Sequence, residues 1–302
     1  MKFVTIITFF LVISCVKCQV QDITCNFILH PVLMQYSCVI GGQTIPNNPD
    51  LQLNFVGEHL SGRSNVDVQS IQIYNSNIPF VNSQFFTTFP WATNLINSRG
   101  IVRLQSNAFR NGSSLNMVEM VDNNNLRSIE SFAFTGAANL RLINLQRNAI
   151  ESIHEDAFNG LVSLTSLFLR FNNIQQLHHR TFTTTNLISY VSFDDNQIEF
   201  LDERIFSSNA GMQIINLENN KINKIGRNFL SGLNSLGTLT LSGNVCIDKN
   251  FSLFNNATID SVNKELAYCF ANADGDELRR FVLEIRGPFS LKFENGTEII
   301  RV

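Results

Sequence analysis

Asn124, Asn148, Asn172, Asn196, Asn220 and Asn244 stand 24 residues apart, and apolar positions keep the same beat. Two residues after each asparagine come Leu126, Ile150, Ile174, Ile198, Ile222 and Cys246. Five after come Ile129, Ile153, Leu177, Leu201 and Ile225, and ten after come Phe134, Phe158, Phe182, Phe206 and Leu230. A fixed period of this length marks a stacked array, because one such unit cannot bury its apolar side alone. Each unit supplies one short strand and a returning segment, and the strands line up in a parallel sheet on the concave side of a horseshoe. The expected fold is therefore an α/β-type solenoid.

The coil 164–187 shows how the pattern works. Leu167 and Leu169 alternate inward on the strand, which turns Ser166, Phe168 and Arg170 to the opposite face. Asn172 ends the strand, where its amide bonds backbone groups of its own and neighbouring coils. Ile174, Leu177 and Phe182 fill the interior behind it. The asparagine row thus reads as structural, not catalytic. Regular coils are expected over 140–163, 164–187, 188–211 and 212–235. The first coil begins near Val68, with Ser76 in the asparagine position. The second is degenerate: Leu95 and Val102 fit, but Asn97 falls on a core position and Gly100 replaces the asparagine. In the third, Asn124 comes one position late, which predicts a bulge near Val121–Asn123.

The ends depart from the period. Residues 1–18 read as a secretory signal: Lys2, then an apolar stretch from Phe3 to Val16 that is too short for a bilayer span. Residues 19–67 form an N-terminal cap, 68–247 the seven or eight repeats, 248–275 a C-terminal cap and 276–302 a small β-rich tail. Within the C-terminal cap, Asp260 or Ser261 is positioned to start a short helix. In the tail, Asn295-Gly296 between strand-like runs is a hairpin signal. Past the signal, four cysteines remain: Cys25, Cys38, Cys246 and Cys269. Coils advance about 4.8 Å each, so the two ends lie too far apart for the ~4.4–6.8 Å Cα separation that a disulfide needs. Only Cys25–Cys38 and Cys246–Cys269 are compatible, one staple per end. Disulfides and a signal together place the chain outside the cell, with no membrane span. The sequons at Asn111, Asn250, Asn256 and Asn295 then become candidate glycan acceptors.

With 302 residues, 44% of them hydrophobic, the chain can bury a large core. A net charge of −3 gives no reason to expect nucleic acid or anionic lipid as a partner. No nucleophile elbow, phosphate loop or zinc-protease motif is present, so neither an enzyme nor a cofactor is expected. His178-His179 and the His154-Glu155-Asp156 run lie on returning segments of separate coils, without a third ligand at metal spacing, and no metal is expected.

The run Leu140-x-x-Ile143-x-Leu145-x-x-Asn148-x-Ile150-x-x-Ile153-x-x-x-x-Phe158-x-Gly160-Leu161-x-x-Leu164 resembles the extracellular 24-residue leucine-rich repeats of Toll-type receptors and small leucine-rich proteoglycans. The flanks are similar to those of secreted insect leucine-rich repeat proteins. The residues that carry this are Gly57-x-His59-Leu60-x-Gly62-Arg63 before the repeats, and Gly243-Asn244-x-Cys246-Ile247 with Ala267-Tyr268-Cys269-Phe270 after them. The resemblance implies extracellular recognition, in innate immunity or at cell surfaces. The alternative it leaves open is a structural matrix protein of the proteoglycan-like kind. The coiled coil and extra linking cysteine of mosquito immune members are absent from this sequence.

A concave sheet presents its outward positions to partners. In the middle of the array these are Arg147, Phe168, Arg170, Phe171, Tyr190, Asp194, Asp195 and Glu218. Exposed aromatics beside arginine have the composition of interface anchors. The expected partner is an extracellular protein or glycan-bearing macromolecule, with homo- or hetero-association open. A plainer reading is that Arg170 and Asp194, equivalent on adjacent strands, simply form a surface ion pair.

Overall fold

The computed structural model describes residues 20–31, 34–253, 258–270, 293–294 and 297–298. The expected signal segment lies outside them. The N-terminal cap consists of β1 (Val20–Thr24), β2 (Asn26–Leu29), β3 (Tyr36–Gly41) and β4 (Gln52–Val56). β2 and β3 form an antiparallel hairpin that Cys25–Cys38 closes, with Cα atoms 5.0 Å apart. β4 pairs in parallel with β1.

Beyond the cap come β5 (Ser70–Tyr74), the short helix α1 (Gln84–Thr88), β6 (Asn94–Ser98), β7 (Met117–Val121), β8 (Ser128–Ile129), β9 (Leu142–Asn144), β10 (Ser152–Ile153) and β11 (Ser166–Phe168). Then follow β12 (Tyr190–Ser192), β13 (Phe200–Leu201), β14 (Ile214–Asn216), β15 (Lys224–Ile225), β16 (Thr238–Thr240) and β17 (Asn250–Ser252). One sheet of eleven strands runs in the order β2-β3-β5-β6-β7-β9-β11-β12-β14-β16-β17. Its repeats pair in parallel, while β2 and β17 close the two ends antiparallel. The register is regular: the central inward positions align, with Ile143, Leu167, Val191, Ile215 and Leu239 in file.

On the returning side, β8 pairs with β10 and β13 with β15, but residues 175–178 between these pairs form no strand. A row of phenylalanine rings lies inside. Phe86, Phe109, Phe134, Phe158, Phe182, Phe206 and Phe229 follow one another with centroids 4.7–6.1 Å apart. Most of these steps exceed the ~4.8 Å between strands. The returning side is therefore the outer circumference, and the sheet is the inner one. Phe229 takes the stacking position where the period pointed to Leu230, although both are buried.

The asparagine row is continuous in space. Asn172 donates to the carbonyls of Leu145 and Leu169 and accepts from the Ile150 N–H. Asn148, Asn196, Asn220 and Asn244 each bond two carbonyls in the same way. Asn124 does not belong to this row. It is exposed, and the buried Asn123 takes the place, accepting from the Ile101 N–H at 2.8 Å. The backbone explains why. The residue before each ladder position has positive φ: Asn75, Arg99, Asp122, Arg147, Phe171, Asp195 and Asn219, with Gly243 closing the series. Asp122 aligns with these, so the ladder residue is Asn123. The strand carries no bulge; β6 and β7 pair without a break through Val121. The extra residue lies after the ladder, at Asn124-Asn125, and a residue is missing after Gly100. Ile101 and Leu104 consequently fill the core of the second coil, while Val102 is only half-buried. Gly100 itself cannot carry an amide, because a Cβ there would lie 2.3 Å from the Ser76 carbonyl oxygen.

In the C-terminal cap, α2 (Ile259–Glu265) is capped by Thr258, which accepts from the Ser261 N–H, and not by Asp260 or Ser261. The Thr258 hydroxyl stands two residues before Asp260, in extended backbone, where an N-cap side chain can reach the third helical N–H. Cys246–Cys269 ties this helix region to the last coil, with Cα atoms 5.3 Å apart. In the tail, β18 (Phe293–Glu294) and β19 (Thr297–Glu298) pair antiparallel.

The ladder assignment has a direct test in urea-unfolding midpoints. Asn172→Ala leaves buried carbonyls and an N–H unpartnered and should cost about 2–4 kcal/mol. Asn124→Ala should stay within about 0.5 kcal/mol. Equal losses would contradict the reassignment.

Candidate binding face

Along each inner strand, alternate side chains point away from the core into the hollow. The register places these in columns. One column reads Met117, Leu142, Ser166, Tyr190 and Ile214, and the next reads Glu119, Asn144, Phe168, Ser192 and Asn216. Met117, Leu142, Phe168, Tyr190 and Ile214 are half-buried. They form an apolar band across the middle of the face. Leu142 and Ile214 were not among the expected contact residues, although the same alternation that exposes Phe168 exposes them. At the band's centre, Phe168 and Tyr190 meet edge to face with centroids 4.9 Å apart. Such a pair holds both rings in a fixed geometry. The Tyr190 hydroxyl also accepts from the Asn216 amide at 3.3 Å.

A charged margin runs beside the band, where the strands end. Arg170 pairs with Asp195 (Nε to Oδ2 2.9 Å), not with Asp194. Asp194 is buried: its carboxylate accepts from the Ser192 hydroxyl at 2.7 Å and from the Glu218 N–H at 3.1 Å. It faces the adjacent strand with each oxygen already bonded, so its part is to position the Glu218 segment. Burial pushes its carboxyl above the usual carboxylate value, and the neighbouring Glu218 charge adds to this. The Ser192 and Glu218 bonds pull the other way without overcoming it. Glu218 in turn accepts from Ser242 at 3.0 Å and from the Asn250 amide at 2.5 Å. Asp195 also accepts from Asn219 at 3.0 Å.

Phe171 is the unusual member of this margin. Its φ is +56°, in the left-handed region, and 40% of its surface is exposed. At the same place Asn75, Asp122, Asp195, Asn219 and Gly243 are residue types that tolerate such a φ. A phenylalanine there costs roughly 1–2 kcal/mol, with little burial in return. Its ring lies under two guanidinium groups, Arg170 at 4.4 Å and Arg147 at 5.8 Å.

A family model described as Leucine rich repeat matches residues 120–174 and 186–245. The fold is that of a leucine-rich repeat solenoid. Among solved structures, it is similar to the TLR13–ssRNA13 complex, with 24% identity, 58% of this chain and 25% of that chain covered, and a TM-score of 0.54. It is also similar to Toll in the Toll–Spatzle complex from Drosophila, with 19% identity, 59% and 27% coverage, and a TM-score of 0.48. The leucine-rich repeat chain thus spans about a quarter of the length of each. At these identities the likeness concerns the fold. No curated protein matches the chain.

Elsewhere on the protein, the gap in the outer strands at 175–178 opens into a cleft of about 610 Å³ lined by Ile153, Leu177, His178, His179 and Phe200 among others. His178 is held by Glu155, with Nδ1 and Oε2 2.8 Å apart. His179 is lowered from its ordinary value by burial, then by Arg204 and His178. Among the described residues, no three His, Cys, Asp or Glu side chains converge as metal ligands do. No helix of the described residues is long and apolar enough to cross a membrane. Of the sequons, Asn111 is exposed in a turn with φ +71°, and Asn250 has its amide committed to Glu218 and to the N–H groups of Leu241 and Ser242. Asn256 and Asn295 lie outside the described residues.

Asp194 gives a pH signature with a definite sign. Its folded-state value lies above the 3.8 of an exposed aspartate, so the folded state holds the proton more tightly than the unfolded chain. Its unfavourable contribution is fully present near neutrality and disappears as pH falls through the raised value. The Tm of wild type minus that of Asp194→Asn should therefore increase between about pH 7 and about pH 4. A difference that shrinks on acidification would contradict the burial argument.

Proposed function

We propose that this protein acts outside the cell as a recognition module that binds a protein partner in the hollow of its sheet. The apolar band from Met117 to Ile214 carries this reading. Its side chains face away from the core, so folding does not require them to be apolar, and they gain burial only when another surface covers them. The Phe168–Tyr190 pair at the centre has the rigid aromatic character typical of binding hot spots. Charge supports a protein over a polyanion. The margin sets Arg147 and Arg170 against Asp195 and Glu218, and an RNA or heparin-like chain would meet repulsion over half of it. Two disulfide-stapled ends support an oxidising compartment. Exposed Asn111 supports glycan attachment there.

The test compares the wild type with the Phe168→Ser, Tyr190→Ser double variant as bait in extracellular fluid, read by quantitative mass spectrometry. Both side chains face the hollow, so Tm should change by only a few degrees. A specific partner should be retained by the wild type and weakened about 30-fold or more by the double change. The same retained proteins with both baits, on an intact fold, would remove the hollow from consideration. Retention of further copies of the chain alone would instead favour matrix assembly.

A further inference from the structure

The strained Phe171 and its two arginines suggest what chemistry the partner brings. We infer that Arg147 is the specificity anchor of the hollow and takes a carboxylate from an extended acidic segment of a protein partner. This rests on the proposed protein-binding role of the same face.

Three observations converge. First, the two arginines over Phe171 differ in what else they hold. Arg170 is neutralised by Asp195 at 2.9 Å. The Arg147 guanidinium has no ion pair or hydrogen bond among the described residues, and its only charge-directed contact there is the Phe171 ring at 5.8 Å. Second, a guanidinium laid against an aromatic ring keeps its N–H edge in solvent, where it can form the two-pronged contact that suits a carboxylate. Third, Phe171 occupies a backbone conformation for which asparagine, aspartate or glycine serve in five equivalent coils and arginine in two. The sequence keeps a ring there, exposed, and the cations over that ring are the two guanidiniums. Its service is to hold those groups in place.

The ligand class follows from the surroundings. Phe168, the last residue of β11, lies three residues before Phe171, at most roughly the 10 Å that three extended residues span. A segment that seats an apolar side chain on Phe168 and Tyr190 therefore presents its acidic residue to Arg147 when the two are two to four residues apart in extended chain. A phosphate-rich ligand is disfavoured, because Asp195 and Glu218 stand only two and three strands from the anchor.

Selection from a display library of random short peptides on the immobilised protein, at near-physiological salt, tests this. Enriched peptides should pair Asp or Glu with an aromatic or aliphatic residue at that spacing. Arg147→Glu should weaken them about tenfold or more and should select basic peptides in their place. Arg147→Lys should recover only part of the affinity, since an ammonium does not stack as a guanidinium does. The exposed position leaves Tm unchanged in both. If the Phe168→Ser, Tyr190→Ser variant abolishes selection while Arg147→Glu keeps the same peptides within about twofold, the hollow stands and the anchor falls. If neither change matters, both fall. Enriched peptides without acidic residues, no enrichment at all, or Arg147-dependent retention of a random single-stranded RNA pool instead would each overturn the carboxylate assignment.

Discussion

Everything in this molecule depends on how the chain satisfies its own amides when it leaves the inner sheet. Each rung must turn out of the sheet within one or two residues, and the turn strands carbonyls and N–H groups in a dry interior. The buried asparagine amide meets both needs at once: its nitrogen donates to two carbonyls and its oxygen accepts from the preceding rung. Leaving such groups unmade costs far more than the bond itself returns. The left-handed residue before it aims the amide inward, and its own N–H bonds the next rung, as Arg147 does with Arg170 and Asp195 with Glu218. Strand register, the phenylalanine row and the columns of the hollow all follow from that recurring junction.

The repeat made most of this readable in advance. The inward leucines, the stacked rings and both disulfides come from period and reach alone. Misreadings cluster where length changes by one residue. Asn124 keeps the 24-residue phase with Asn148, yet Asn123 occupies the ladder, because a residue lost after Gly100 and one gained at Asn124-Asn125 cancel in the count. Phase in sequence tracks space only while every turn has the same length. Burial, the bond from the Ile101 N–H and the positive φ at Asp122 single out Asn123, and the spacing Val118-x-Met120-x-x-Asn123, the same as Ile143-x-Leu145-x-x-Asn148, already pointed to it.

The hollow was legible in outline and misjudged in detail. Alternation correctly turned Phe168 and Tyr190 outward, and it applied equally to Leu142 and Ile214. Asp194 was placed among the contacts because its column faces the hollow, but the hydroxyl of Ser192 and the N–H of Glu218 fold it away. That also explains its failure to pair with Arg170, whose planar group reaches past it to Asp195. A carboxylate's choice among donors two residues away depends on side-chain rotamers, which a one-dimensional pattern does not encode.

The missing outer strand at 175–178 has a mechanical meaning. A curved stack resists bending through its links on both radii, and stretching the outer one requires its hydrogen bonds to give way. At this rung, between β10 and β13, the outer strand pairing lapses, although the Gln175 carbonyl still accepts from the Glu199 N–H at 3.4 Å. The same rung carries Phe168, Arg170 and Phe171 on the inner radius. The arc therefore carries its sparsest outer strand pairing directly behind its most aromatic surface.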